Sequence, residues 1–459
     1  MLQGNPIPQA PPAARLGPRP LPLHLATAAW TWESSQTGLP LLSGASPGWS
    51  ALSNASSSTA TNPDFNTGLE GLARQHEKWR RRLIRIRTEL ALSDGGDDLP
   101  ALISGPFAQA IRSESIKRMD RFLAGVQTYR HHPAQRDFAE PVLIAEDGSS
   151  KLLDFTPFAA GATTSHGAES DVALLMVPSL VNRWQVLDIS EERSLMRALA
   201  RAGIRSLLVD WGTPVGHERG FSATDYVLRL ERLLDRTKAL GFSRVHLAGY
   251  CMGGNLALAL ALRRQRDLAS LLLLATPWDF HADRTGQALM MANLPFLARL
   301  VEAAGELSVD ALQTLFYSLD PWLVIKKFMR FAQLDPNSPE ARDFVLLEDW
   351  LNDGAPVSGP MALDCLLGWY GNNTPGKGEW LIGGEVVDPR RLDVPSLVVV
   401  PGQDRIVPPA SARALADPVV GIPNAKRIDL ALGHIGMMVS ARSPQLLWQP
   451  LIEWITAGR

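Results

Sequence analysis

The sequence predicts an α/β fold: a mostly parallel central sheet with helices on both faces and a helical insertion late in the chain. Three observations predict it. Near-continuous apolar runs alternate with helical patterns from residue 141 onward. A Gly-rich turn joins one of these runs to an Ala/Leu helix, and the alternation breaks once, over 281–392, before it resumes. Continuous apolar strands separated by helices are the mark of a parallel sheet buried on both sides.

Composition narrows the classes. Of 459 residues, 46% are hydrophobic and 20% charged, with a net charge of −2. This is a globular balance, which excludes disorder throughout and collagen-like repeats. Near-zero charge argues against a nucleic-acid partner held by phosphate neutralisation. The two cysteines, Cys251 and Cys365, are too few for a disulfide framework or a cysteine-built zinc site. No His/carboxylate spacing of ligand type is present, so no metal is expected. No apolar run approaches the roughly 20 residues of a membrane-spanning helix. The stretch Leu21 to Trp30 is apolar but short, without the basic region and cleavage site of a leader. No transmembrane segment is expected, and a cytoplasmic location follows as the default.

Taken in order, residues 1–62 are rich in Pro, Ser, Ala and Gly and read as a disordered arm. Residues 63–140 read as an N-terminal helical region. There RQHEKWRRRLIRIR gathers basic residues between Arg74 and Arg87, and a further helix runs from Phe107 to His131. The basic run is either a solvated helix face or an amphipathic helix laid on an anionic surface, a granule coat or a partner. The α/β core is expected over 141–280 and 393–459. It opens with a hairpin turning at Asp147-Gly148. Strands are expected at 172–177, 206–211, 244–249, 270–276, 396–402 and 426–431. Helices are expected near Glu191–Ala202, Thr224–Leu240, Gly253–Leu262 and Pro444–Ala457. The insertion 281–392 shows no clear strand and reads as a cap over the sheet's carboxyl edge, where ligands bind in open α/β sheets.

The segment HLAGYCMGGNLALALAL is the most informative. It fits the nucleophile-elbow pattern G-x-S-x-G with Cys251 in place of serine, between a predicted strand and a predicted helix. Glycines clear room where strand and helix crowd together, the apex side chain is pushed out of the sheet edge, and the helix N-terminus favours negative charge. Read blandly, Cys251 is a small buried residue on a Gly-rich turn; its place between strand and helix favours the nucleophile. A thiol needs a base, and the base needs an orienting group. His434 follows the last predicted strand in LALGHIGMMVS, where the α/β-hydrolase order of nucleophile, acid, histidine puts the base. His217 and His281, also after strands, are the reserves, and His246 lies inside a strand. Asp404, just past strand 396–402, is the expected acid; Asp388 and Asp393 sit at the wrong end of that strand.

These residues belong to blocks that together resemble the polyhydroxyalkanoate synthases, acyltransferases of α/β-hydrolase fold. The blocks are VPSLVNRWQVLDISEERSLMRALARAGIRSLLVDWGTP, GYCMGG with the downstream LLLLATPWDF, DWLNDGAP, PGQDRIVPP and GHIGMMVS, spread from about Gly125 to Trp454. The resemblance implies that Cys251 is acylated, that His434 is the general base, and that Asp404 orients it and helps activate the incoming hydroxyl. It implies an oxyanion hole from the N–H groups of Met252 and Val181, with the insertion as a cap over the substrate tunnel. The substrate would be a (R)-3-hydroxyacyl-CoA and the acceptor a polyester chain. CoA enters as substrate carrier, so no cofactor is expected; a granule surface and a homodimer or partner subunit are the expected associations. The chain departs from the family at Arg405, where many members have His, at Leu180 in the pocket segment, and in its Pro/Ser-rich arm. Two alternatives stand beside synthesis: a thioesterase or other hydrolase using the same triad, and a granule-associated binding protein with a vestigial site.

Overall fold

The computed structural model describes residues 15–42, 106–159 and 172–457, which form two compact units. The larger takes in 15–17, 132–321 and 336–457. Its frame is an eight-stranded sheet. The strands are β1 (Val142–Asp147), β2 (Ser150–Asp154), β3 (Ala173–Val177), β4 (Arg205–Asp210), β5 (Val245–Tyr250), β6 (Leu268–Leu274), β7 (Ser396–Pro401) and β8 (Lys426–Leu430). Their spatial order is β1-β2-β4-β3-β5-β6-β7-β8. The β1–β2 hairpin turns through Gly148 at φ 59°, as expected. β2 runs antiparallel to β4, and every later pair is parallel.

Alternate residues of the buried strands feed two apolar layers. Leu175 and Val177 of β3 pack into one layer with the helices Ala223–Lys238 and Met252–Arg263. Leu174 and Met176 face the other, with Leu195–Arg201 and the terminal helix Gln449–Thr456. The strands lie within two residues of their expected positions. The helix expected from Glu191 begins at Leu195 because the Ser194 hydroxyl accepts from the Arg197 N–H and caps it there. Within the insertion the structure adds two short ladders that the sequence did not suggest, Glu306–Leu307 with Val357–Ser358 and Leu381–Ile382 with Glu385–Val386.

The smaller unit comprises residues 18–42, 106–131 and 322–335. Within the arm expected to be disordered over 1–62, Leu21–Leu42 is a helix, while 1–14 and 43–62 lie outside the described residues. His24, Ala28 and Trp32 on this helix are buried. Its partners come from far along the chain: Trp32 meets Phe122, and Phe122 and Tyr129 meet Phe328 edge-on. Gly125 is required at this crossing, because a Cβ there would lie 2.1 Å from the Phe328 carbonyl oxygen. The helix Leu323–Phe331, expected to belong to the cap, is therefore part of this unit. The basic run Arg74–Arg87 and the rest of 43–105 lie outside the described residues.

Two polar clusters tie elements of the larger unit together. Asp188 is fully buried and accepts from Arg197 at 2.7 Å and from Arg136 at 2.6 Å. Arg197 is also buried and lies over the Phe158 ring. Asp188→Asn leaves a buried guanidinium without its counter-charge, so denaturant titration should show a loss of about 3–5 kcal/mol. The second cluster ties β5 to β6 and the terminal helix: His246 Nδ1 bonds Ser270 Oγ at 2.7 Å, and the Trp454 indole N–H donates to the same oxygen. Burial, aided by the charge of Arg244, lowers the His246 pKa to about 4. The unfolded chain takes up this proton near pH 6.5 and the folded one only near 4. Stability is therefore lost as pH falls between those values, by on the order of 2–3 kcal/mol. The difference between the stability curves of wild type and His246→Leu over that window measures the effect.

Candidate active site

The site is built at the carboxyl edge of the sheet, starting from the crossing of β5 into the helix Met252–Arg263. The two elements approach so closely that a Cβ on Gly249 would lie 2.5 Å from the Gly254 Cα. A Cβ on Gly253 would lie 2.3 Å from the Val177 carbonyl oxygen at the end of β3. Cys251 at the apex has φ 55° and ψ −129°, a left-handed conformation that costs a non-glycine residue about 1–3 kcal/mol. Its N–H donates to the Leu274 carbonyl of β6, and its carbonyl accepts from the Gly254 N–H. The thiol is partly exposed, while Cys365 is buried.

Two further loops complete the cluster, and the parallel sheet fixes both. Pro401 at the end of β7 pairs with Leu430 at the end of β8. Beyond the strands, the Gly402 and Gln403 N–H groups donate to the Leu430 and Leu432 carbonyls. The first loop carries Asp404 and the second His434. His434 Nδ1 lies 2.6 Å from Asp404 Oδ2, and both side chains are buried. The other carboxylate oxygen accepts from the backbone N–H groups of Ile406 at 2.8 Å and Val407 at 2.9 Å. Asp404 is thus held in one orientation, and it fixes the imidazole so that Nε2 is left for another partner. Tyr250, next to Cys251, lies against the His434 ring with centroids 5.1 Å apart and donates its hydroxyl proton to the His434 carbonyl.

Burial disfavours the charged form of His434. The Cys251 sulfur and the Asp404 carboxylate outweigh it and push the imidazole pKa up to about 10. The cluster therefore favours the imidazolium form of His434 beside the Cys251 sulfur. Met252 is the first residue of its helix, so its N–H is not used by the helical ladder. The Val181 N–H is turned to Ser179 Oγ at 3.3 Å. It must exchange that long bond to serve an oxyanion.

The other expected candidates lie apart from this cluster. His281 Nε2 pairs with the Tyr370 carbonyl, His217 is exposed against Phe221, and Asp388 pairs with Arg390. Sequence reasoning did not single out Tyr250, whose signal is its place as the last strand residue before the elbow. Tyr370, on the π-helical turn Asp364–Gly371, is a buried phenol that burial holds neutral. Among the described residues there is no group of three or more His, Cys, Asp or Glu able to hold a metal ion. Among them, too, no helix is long and apolar enough to cross a membrane.

Comparison with known families matches residues 174–445 to one described as the Alpha/beta hydrolase family. The match covers more than half of the chain, and the chain belongs to that family. Among curated proteins it is 30% identical to the Poly(3-hydroxyalkanoate) polymerase subunit PhaC of Haloarcula marismortui, over 68% of this chain and 66% of that protein. It is 30% identical to the protein of the same name from Haloferax mediterranei, over 62% of this chain and 58% of that one. The Synechocystis sp. protein of that name is 25% identical over 75% of this chain and 92% of its own length. The chain thus spans less than two thirds of the first two relatives. The likeness to polyhydroxyalkanoate synthases read from the motifs is borne out by these relatives.

If His434 supplies the cation that keeps the sulfur reactive, its removal should be read directly on the thiol. Iodoacetamide labelling of Cys251 at pH 7, followed by intact mass, should slow about tenfold in His434→Ala and recover as the pH is raised.

Proposed function

We propose that this chain is an acyltransferase that takes (R)-3-hydroxyacyl groups from CoA thioesters and passes them to a hydroxyl acceptor, in the manner of a polyhydroxyalkanoate synthase. The observation that carries this reading is the 2.6 Å bond from His434 to the buried, doubly anchored Asp404, beside a cysteine at the apex of the elbow. The named relatives support the substrate class.

In the first half-reaction the Cys251 thiol proton passes to His434 and the sulfur attacks the thioester carbonyl. The tetrahedral oxyanion is met by the Met252 N–H and by the Val181 N–H once it turns from Ser179. The bond from carbon to the CoA sulfur then breaks, and the CoA thiolate leaves with the proton of the His434 imidazolium. In the second half-reaction neutral His434 takes the proton of the incoming hydroxyl, whose oxygen attacks the acyl carbon. An ester forms, and the Cys251 sulfur is released beside a recharged imidazolium. A thiol nucleophile suits this chemistry because one thioester is exchanged for another and the acyl group stays activated until the alcohol arrives. Water could replace the alcohol, so the insertion that follows β6 has the task of excluding it. Within the same reading the product is a polyester whose granule surface the enzyme meets in the cytoplasm, with a second copy or a partner subunit.

Mixing the protein with 3-hydroxybutyryl-CoA should add one hydroxyacyl mass to Cys251, release CoA and form polymer. Cys251→Ser should lose about a hundredfold or more of the activity while keeping the fold, because its hydroxyl is not activated by this pair. Full turnover by Cys251→Ala would refute the assignment, and free hydroxyacid without polymer would favour hydrolysis by the same residues.

A further inference from the structure

The helix Val309–Leu319 is linked to two different loops of the catalytic edge, through residues 350–354 at its start and directly at its end. At its start, a Cβ on Gly354 would lie 3.0 Å from the Val309 side chain, and Gly354 forms a backbone bridge with Asn182 in the loop after β3. Gln313 donates to the Leu351 carbonyl in the same region. The Trp350 indole donates to the Arg183 carbonyl, and Arg183 pairs with Asp353. The helix ends at its C-cap, Asp320, which accepts from Arg405 Nη1 at 2.6 Å in the loop after β7. Eleven helical residues rise about 16 Å. β3 and β7 are three strand spacings apart, about 14 Å, with β5 and β6 between them. The helix is therefore a strap across the edge that presents Cys251, held at one end against residues 350–354, which are themselves bonded to the loop after β3, and tied by an ion pair at the other.

The two ties differ in how easily they exchange. Arg405 is 77% exposed although it directly follows the buried Asp404, and Asp320 is 19% exposed. Water competes for the exposed guanidinium, which weakens such a pair. A phosphate offers more charge and a better match to the guanidinium fork. An acyl-CoA must bring its phosphates to the rim of this edge as its thioester reaches Cys251.

We propose that Arg405 is a phosphate-binding residue for the CoA carrier and that Asp320 holds its place until the phosphate arrives. Binding of the carrier then frees the end of the strap. The inference rests on the reading that the substrate is a CoA thioester, and it gives Arg405 a task separate from that of its neighbour Asp404.

The test reads binding and turnover separately. Calorimetry with free CoA should show about tenfold weaker binding to Arg405→Ala, a loss of the size expected for one charge-assisted contact. Asp320→Asn, which removes the competing carboxylate, should bind CoA more tightly than wild type. Dephospho-CoA distinguishes the sources of the anion: a defect that disappears with it assigns the 3′-phosphate to Arg405, and one that persists assigns the pyrophosphate. In turnover, the KM for 3-hydroxybutyryl-CoA should rise in Arg405→Ala far more than that for the N-acetylcysteamine thioester, which carries no phosphate. Equal rises for the two thioesters, or weaker CoA binding in both Arg405→Ala and Asp320→Asn, would mean that the pair is only a structural tie. A wild type that binds CoA through Arg405 but turns over no thioester would overturn the proposed activity and leave this site standing.

Discussion

The close crossing of β5 and the helix that follows it is the constraint on which the site depends. Backbone there approaches backbone at distances that no side chain fits, and Cys251 is forced into a left-handed conformation at the apex. That strain persists because it is over-determined, by the bond from Cys251 to β6, by the first bond of the helix and by the apolar layer beneath. The thiol therefore cannot relax back into the sheet. Since β5, β6, β7 and β8 are paired in parallel register, its position is also fixed relative to the loops that leave β7 and β8.

The sheet thus sets geometry, and burial sets charge. Asp404 and His434 are buried together, where an isolated charge would be costly, so each makes the charged form of the other tolerable. Two backbone N–H groups hold the carboxylate, the carboxylate holds the ring, and the ring faces the sulfur. One residue along, the polarity of the loop reverses: Asp404 points inward to the ring, and Arg405 points out to solvent and to the strap. A single turn after β7 thereby carries a buried carboxylate on its inner side and an exposed guanidinium on its outer side.

Above the sheet, the insertion meets the core by unequal means. The loop after β3 is joined to 350–354 by a backbone bridge, an indole bond and an ion pair, all of which must break together. The loop after β7 is joined to the strap by an ion pair whose guanidinium is exposed. The helix Leu323–Phe331 lies within this stretch of sequence but packs in the smaller unit, because the aromatic faces that cover Phe328 are Phe122 and Tyr129.

What the sequence determined by itself was local and periodic. Continuous apolar runs identified the buried parallel strands to within two residues, Asp147-Gly148 marked the hairpin, and GYCMGG marked the elbow, because each is a property of a few neighbouring residues. The sequence also put Asp404 and His434 after the right strands. Tertiary structure alone decided the rest. It brought the ring within bonding distance of a carboxylate 30 residues away, turned the Val181 N–H to Ser179, and set Arg405 on Asp320. It also made a helix of Leu21–Leu42, in a stretch whose Pro- and Ala-rich surroundings suggested none, by supplying Phe122 for Trp32 to cover. The physical reason is the same in each case. Backbone preference is written in neighbouring residues, whereas desolvation and charge pairing depend on partners that only folding brings near.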